Sequence, residues 1–239
     1  MKILYDNNEA TGVLKRSIVA NTYLFLDSHG DVHMPGIFSQ TISERKDRIA
    51  HLHDHEFKIG ARVGRPIQFK EQKVSWIEVG LSRTGETYIL QMDSQIEKAL
   101  NEGIYNEYLA DAINQHSVSM EYQVVDIAMK DPAYEDEYKV WKEVYPLLGN
   151  PEKADELGMF WVVRKARLFE VSAVLIGSNE LTPTLGSKNF QMLEQYNDQY
   201  KKLLHKSITE SFKKTDQGSS KKSISVKELI KHYDPKKYI

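Results

Sequence analysis

From His116 to Ala128 the chain sets Val118, Met120, Tyr122 and Val124 at every second position. A period of two places successive side chains on opposite faces of an extended backbone. The stretch therefore predicts a strand with one apolar face and with Ser119 on the face opposite Met120 and Tyr122. β-branched and aromatic runs upstream point the same way. Ser17–Leu26 ends in the turn signal Asp27-Ser-His-Gly30, Ile49–His55 and Val74–Val79 are further candidate strands, and Thr87–Met92 follows the Thr84-Gly85 turn. Phe160–Val163 and Leu168–Ile176 complete the set. The expectation is a mainly β fold with surrounding helices, of the α+β class.

Helical segments accompany the strands. Ser94-Gln-Ile-Glu97 has the spacing of a capping box, and Ile96, Leu100, Ile104, Tyr108, Leu109 and Ile113 follow, with Gly103 as a break. Residues 130–158 hold 8 acidic and 4 basic residues, with Tyr134, Tyr138, Trp141 and Val144 at helical spacing. They read as a helical excursion inside a domain spanning residues 1–185. Residues 186–214 read as an amphipathic helix, and 215–239 as a flexible basic tail with one short final helix.

The 239 residues include no cysteine, which excludes a disulfide framework, a thiol nucleophile and a cysteine-held metal or cluster. The net charge of −2 hides a split. Residues 201–239 carry 11 Lys against 4 Asp and Glu, so the remainder carries −9. A lysine-rich end touches nucleic acid only through phosphates when no binding motif accompanies it, so no specific nucleic-acid partner is expected. No apolar run reaches the length of a membrane span, and no basic-then-apolar leader pattern is present; an intracellular setting is the expectation.

Chemistry concentrates in His51-Leu52-His53-Asp54-His55-Glu56. On a regular strand the three histidines share a face, which suits a metal-dependent hydrolase using His51, His53 and His55, or a general base. A base needs a nucleophile, and without cysteine that is serine or threonine. No Gly-x-Ser-x-Gly elbow is present, which argues against an ordinary α/β-hydrolase. Ser119 opens an apolar strand. Glu170 and Ser172 share one face of Leu168-Phe-Glu-Val-Ser-Ala-Val174, where an acid among apolar neighbours needs a partner.

In this order the three segments resemble the prohead (capsid maturation) protease family of tailed bacteriophages, related in fold to the herpesvirus assemblins. The resemblance rests on Leu52-His53-Asp54 with Gly60 seven residues after His53, on Val118-Ser119-Met120-Glu121-Tyr122, and on Leu168-Phe169-Glu170-Val171-Ser172-Ala173-Val174. Gly30–Phe38 with Thr41-Ile42 also fits the approach to the histidine strand. It covers roughly residues 15–182. Glu121 stands where the family commonly has glycine, and Gly177-Ser178-Asn179 replaces a Pro-Ala-Asn-like turn.

The resemblance implies an assemblin-like antiparallel β-barrel and a serine endopeptidase without metal or other cofactor. It implies His53 as base, Ser119 as nucleophile and Glu170 as the group that orients the base, with His51, His55 or His116 as alternatives for that third place. Arg164, Arg167 or backbone N–H groups near Ser119 are candidates for stabilising the oxyanion. The implied substrates are the major capsid protein with its scaffold segment and the protease itself, inside the phage procapsid in the host cytoplasm, with a homodimer possible and no membrane partner. A catalytically inactive scaffold or structural protein of capsid assembly is the non-enzymatic alternative.

Overall fold

A computed structural model describes residues 2–187 of the chain. The basic tail and, from residue 188 on, the expected amphipathic helix lie outside the described residues. Nine strands form one sheet: β1 (Tyr5–Asn8), β2 (Val13–Thr22), β3 (Asp31–His33), β4 (Ala50–His53), β5 (Arg62–Ser75), β6 (Glu86–Glu97), β7 (His116–Met129), β8 (Met159–Ala173) and β9 (Thr184–Leu185). The helices are α1 (Ser39–Arg45), α2 (Glu102–Leu109), α3 (Glu135–Val144) and α4 (Pro151–Leu157).

Hydrogen bonding follows the path β1-β2-β6-β5-β4-β8-β3, with β7 on the other side of β8 and β9 beside β2. β3 and β4 run parallel to β8, and the other pairs are antiparallel. The sheet is therefore mixed, and among the described residues its ladder does not close into a barrel. The reason is the crossover through α1. It returns the chain in the direction of β3, so β3 and β4 occupy one edge of β8 in succession, at residues 161–163 and 170–173. In the gap between them, Ala166 N–H donates to the Ile37 carbonyl, and Leu168 N–H donates to Thr41 Oγ1. Side-chain and loop groups thus satisfy the backbone where no strand pairs.

Most of the strands pack on one apolar core containing Ile18, Val19, Tyr23, Ile89, Leu90, Met92, Leu168 and Val171. Val118, Met120 and Tyr122 pack against it, as the period-two pattern of β7 requires. The insert over 130–158 supplies α3 and α4 and a second, smaller core, in which Trp141 lies 5.2 Å from the Phe160 ring and 5.0 Å from that of Tyr145.

Several boundaries differ from the sequence expectation; the strand expected over Val74–Val79 is the end of β5, which stops at Ser75, followed by a 3-10 turn at Ile77–Val79. Ser94–Glu97 is the end of β6, paired with both β2 and β5. Helix α2 begins later, where Asn101 Oδ1 accepts the Ile104 N–H at 3.1 Å. A Ser-x-x-Glu spacing caps a helix only where the backbone is not already committed to ladder bonds on both sides. The two expected strands over 160–163 and 168–176 are one strand, β8; Arg164, Lys165 and Arg167 ride on it as partly exposed residues.

Candidate active site

β8 lies between β4 and β7 and sets the register of both. Ser119 stands opposite Glu170, Val118 opposite Val171, and His116 opposite Ala173. On the other side His51 stands opposite Val171 and His53 opposite Ala173. Paired residues share a face, so His51, His53 and His116 belong to the Val171 and Ala173 face, and Ser119 to the face of Glu170 and Ser172.

A β-bulge makes this possible. The register shifts from Ser119↔Glu170 to Met120↔Leu168, leaving Phe169 as an extra residue on β8. Without it, Leu168 and Glu170 would share one face by alternation. With it, Leu168 enters the core beside Met120 and Glu170 turns to the opposite side with Ser119.

The strand bearing the histidines ends at His53. Asp54 and His55 both take left-handed backbone angles, φ 52° and 55°. Such angles are uncommon outside glycine, although Asp and His tolerate them better than bulky residues. Backbone bonds hold the turn: Glu56 N–H donates to the His53 carbonyl at 3.1 Å, Asp54 N–H to the Ala173 carbonyl at 2.9 Å, and His55 N–H to Ser172 Oγ at 3.1 Å. The turn breaks the alternation and folds His55 onto the Ser119 face.

His55 Nδ1 lies 2.6 Å from Glu170 Oε1 and 3.0 Å from Ser119 Oγ. Ser172 Oγ donates to Glu170 Oε2 at 2.6 Å. The Glu170 side chain is fully buried, so the imidazole and the hydroxyl replace the water it has lost. The His55 ring is 31% exposed. One nitrogen meets both partners. While Nδ1 donates its proton to Glu170, it has no lone pair for the serine proton, and transfer requires a ring rotation that brings Nε2 to Ser119.

The structure thus brings Ser119 and Glu170 together and does not bring His53 to them. His53 Nδ1 instead pairs with Asp54 Oδ2 at 3.0 Å, with the aspartate largely exposed. His55, and not His53, lies against Ser119 and Glu170, because the left-handed turn redirects the chain after residue 53. The three histidines of the cluster also do not converge as a metal set. Each has separate partners. Arg164, an oxyanion candidate, is held by a bidentate pair to Glu143 and by Asp126. Arg167 is held only loosely, 3.8 Å from Glu121 Oε2.

His51 and His116 belong to a polar chain in the core. His51 Nδ1 lies 2.8 Å from Ser94 Oγ and its Nε2 3.2 Å from the Tyr108 hydroxyl, which lies 2.9 Å from His116 Nε2. His116 Nδ1 lies 2.8 Å from the Thr182 carbonyl oxygen. A carbonyl only accepts, so every proton is assigned: His116 Nδ1–H donates to Thr182, Tyr108 O–H to His116 Nε2, His51 Nε2–H to the Tyr108 oxygen, and Ser94 O–H to His51 Nδ1. Burial lowers the pKa of His51 to about 3 and that of His116 to about 4, so both rings are neutral near pH 7. In the sequence Tyr108 is legible only as an apolar helix position, and Ser94 only as a cap. Neither signal reveals this network.

Among the described residues no helix is long and apolar enough to cross a membrane. No family model matches the chain, and no curated protein or solved structure matches it.

Proposed function

We propose that the chain is a serine endopeptidase with Ser119 as nucleophile, His55 as general base and Glu170 as the carboxylate that orients it. The observation that carries this reading is the contact of one imidazole with both a serine hydroxyl and a buried carboxylate, at 3.0 and 2.6 Å. A serine hydroxyl is too weak an acid to ionise near neutrality, so attack on a peptide carbonyl needs a base within reach. Once its ring has turned Nε2 to Ser119, His55 takes the Ser119 proton as the Oγ–C bond forms, and Glu170 stabilises the resulting imidazolium. His55 then delivers that proton to the leaving amine as the C–N bond breaks. Water, activated by the same ring, releases the acyl group and restores Ser119. Arg167 is paired with Glu121, which shares the Ser119 face, and supplies positive charge for the oxyanion.

The substrate binds as an extended strand. Among the described residues β7 pairs only with β8. The His116 N–H and carbonyl turn to Thr182 Oγ1 on the other edge, and by alternation those of Val118 follow, beside Ser119. Together with the order of the Leu52–Asp54, Val118–Tyr122 and Leu168–Val174 segments, this supports a prohead-type maturation protease. Its substrate is then the scaffold segment of a capsid protein, and the assemblin relationship remains part of the proposal.

A serine-directed fluorophosphonate tests the reading. It labels Ser119 in the wild-type chain and in His53→Ala, and fails to label His55→Ala and Ser119→Ala. Labelling that survives His55→Ala, or that maps to another serine, rejects the assignment.

A further inference from the structure

A second constellation lies away from this site. Asp27 closes the turn after Phe25-Leu26, and Asp31 and His33 lie two residues apart on β3, whose three residues pair with 161–163 of β8. Their carboxylate oxygens and imidazole nitrogen all lie within 4.8 Å of one another, and the three residues are 2%, 5% and 3% exposed. Asp27 Oδ1 accepts the N–H groups of His29 and Asp31 at 2.9 and 3.0 Å, and the Tyr122 hydroxyl donates to Asp31 Oδ2 at 2.6 Å. The Lys153 ammonium bonds the Leu26 and Asp27 carbonyl oxygens.

The independent observation is His33. Its Nδ1 lies 2.9 Å from Asn21 Oδ1, which also accepts from Asn179 Nδ2; with the amide in this orientation, which leaves Asn21 Nδ2 unpartnered, Nδ1 carries the proton. Nε2 therefore bears a lone pair, and it is buried without any hydrogen-bond partner. A buried acceptor with no donor costs stability unless something fills the place. An imidazole whose other nitrogen donates to a fixed oxygen is the form that ligates metals. Two buried carboxylates lie beside it; the Lys153 ammonium acts on Asp27 and His29 on Asp31, and a divalent ion adds to that balancing charge.

We propose that Asp27, Asp31 and His33 bind one divalent transition ion, Zn²⁺ or Mn²⁺. One nitrogen and two carboxylate donors favour these ions over Ca²⁺ and Mg²⁺, which prefer all-oxygen shells. The site rests on no part of the peptidase reading.

The full chain, stripped with chelator and exchanged into chelator-free buffer, is titrated with ZnCl₂ and with MnCl₂ by calorimetry at pH 7.5, and its thermal unfolding is followed with each ion. The expected result is one equivalent bound with a rise in Tm. Asp31→Asn and His33→Gln each weaken binding by at least about tenfold. In wild-type protein, Mn²⁺ broadens the His33 ring resonances before those of His53 and His55, a readout that needs no variant to fold. Absence of stoichiometric binding, binding unchanged in both variants, or first broadening at His53 or His55 overturns the proposal.

Discussion

The two faces of the β4–β8–β7 layer use the same residue types for opposite ends. On one face His55, Ser119, Glu170 and Ser172 surround a partly exposed imidazole with a buried carboxylate beside it. On the other, His51, Tyr108, His116 and Ser94 form a closed chain, with every ring nitrogen partnered and no carboxylate within it. A buried ring with neutral partners is held neutral by desolvation, and its bonds go into joining strands and helix. A ring at the rim, beside a carboxylate and a serine hydroxyl, is the arrangement that the proposed peptidase chemistry uses. A histidine is made reactive by its partners and its access to water, more than by its own chemistry.

The largest expected effect is on the outer face. Ser119→Ala lowers peptide-cleavage kcat by about 10⁴-fold or more, measured on an excised or engineered cleavage-site peptide. Glu170→Gln keeps the shape but removes the charge that holds the imidazolium. Its kcat falls by about 10²- to 10⁴-fold, with KM little changed. A wild-type rate in either variant would dissolve the contrast between the faces.

The inner face is expected to answer in stability. Tyr108→Phe leaves the His51 Nε2–H without an acceptor and the His116 Nε2 without a donor. The cost is about 2–4 kcal/mol, read from denaturant midpoints. The network also gives a pH dependence of definite sign. His51 and His116 have folded pKa values of about 3 and about 4, below the unfolded value of ~6.5. The unfolded chain therefore binds more protons in the acid range. The stability these rings contribute is complete above ~6.5 and is lost as pH falls from there through about 4 and then about 3. Replacing both rings by asparagine should flatten that part of the wild-type stability curve between pH 7 and 5. The smallest effect is at His53→Ala, where kcat changes less than about threefold, because His53 pairs with Asp54 and not with Ser119.

Part of the site is legible in the amino-acid order alone. Alternation sets Ser119 opposite Met120 and Tyr122, and it sets Glu170 with Ser172. Both placements follow from the pleat of a strand, which is a local property. Alternation also puts His51, His53 and His55 on one face, and there it fails. It assumes extended backbone throughout, and residues 54 and 55 are left-handed. Nothing in His-Asp-His-Glu announces that turn, because two of its three bonds go to Ser172 and Ala173, more than 100 residues away. The bulge at Phe169 is equally hidden, since an extra residue on one strand is defined only against its partner.

By itself the amino-acid order determined that this chain builds strands, which serine faces away from the core, and that a lone glutamate within an apolar run must find company. Tertiary structure decided which histidine provides that company, and among the described residues it left the sheet mixed and open, where resemblance implied an antiparallel barrel. The physical reason is range: strand periodicity acts between neighbours in sequence. Bulges, left-handed turns and buried hydrogen-bond chains are fixed by groups that meet only once the chain has folded.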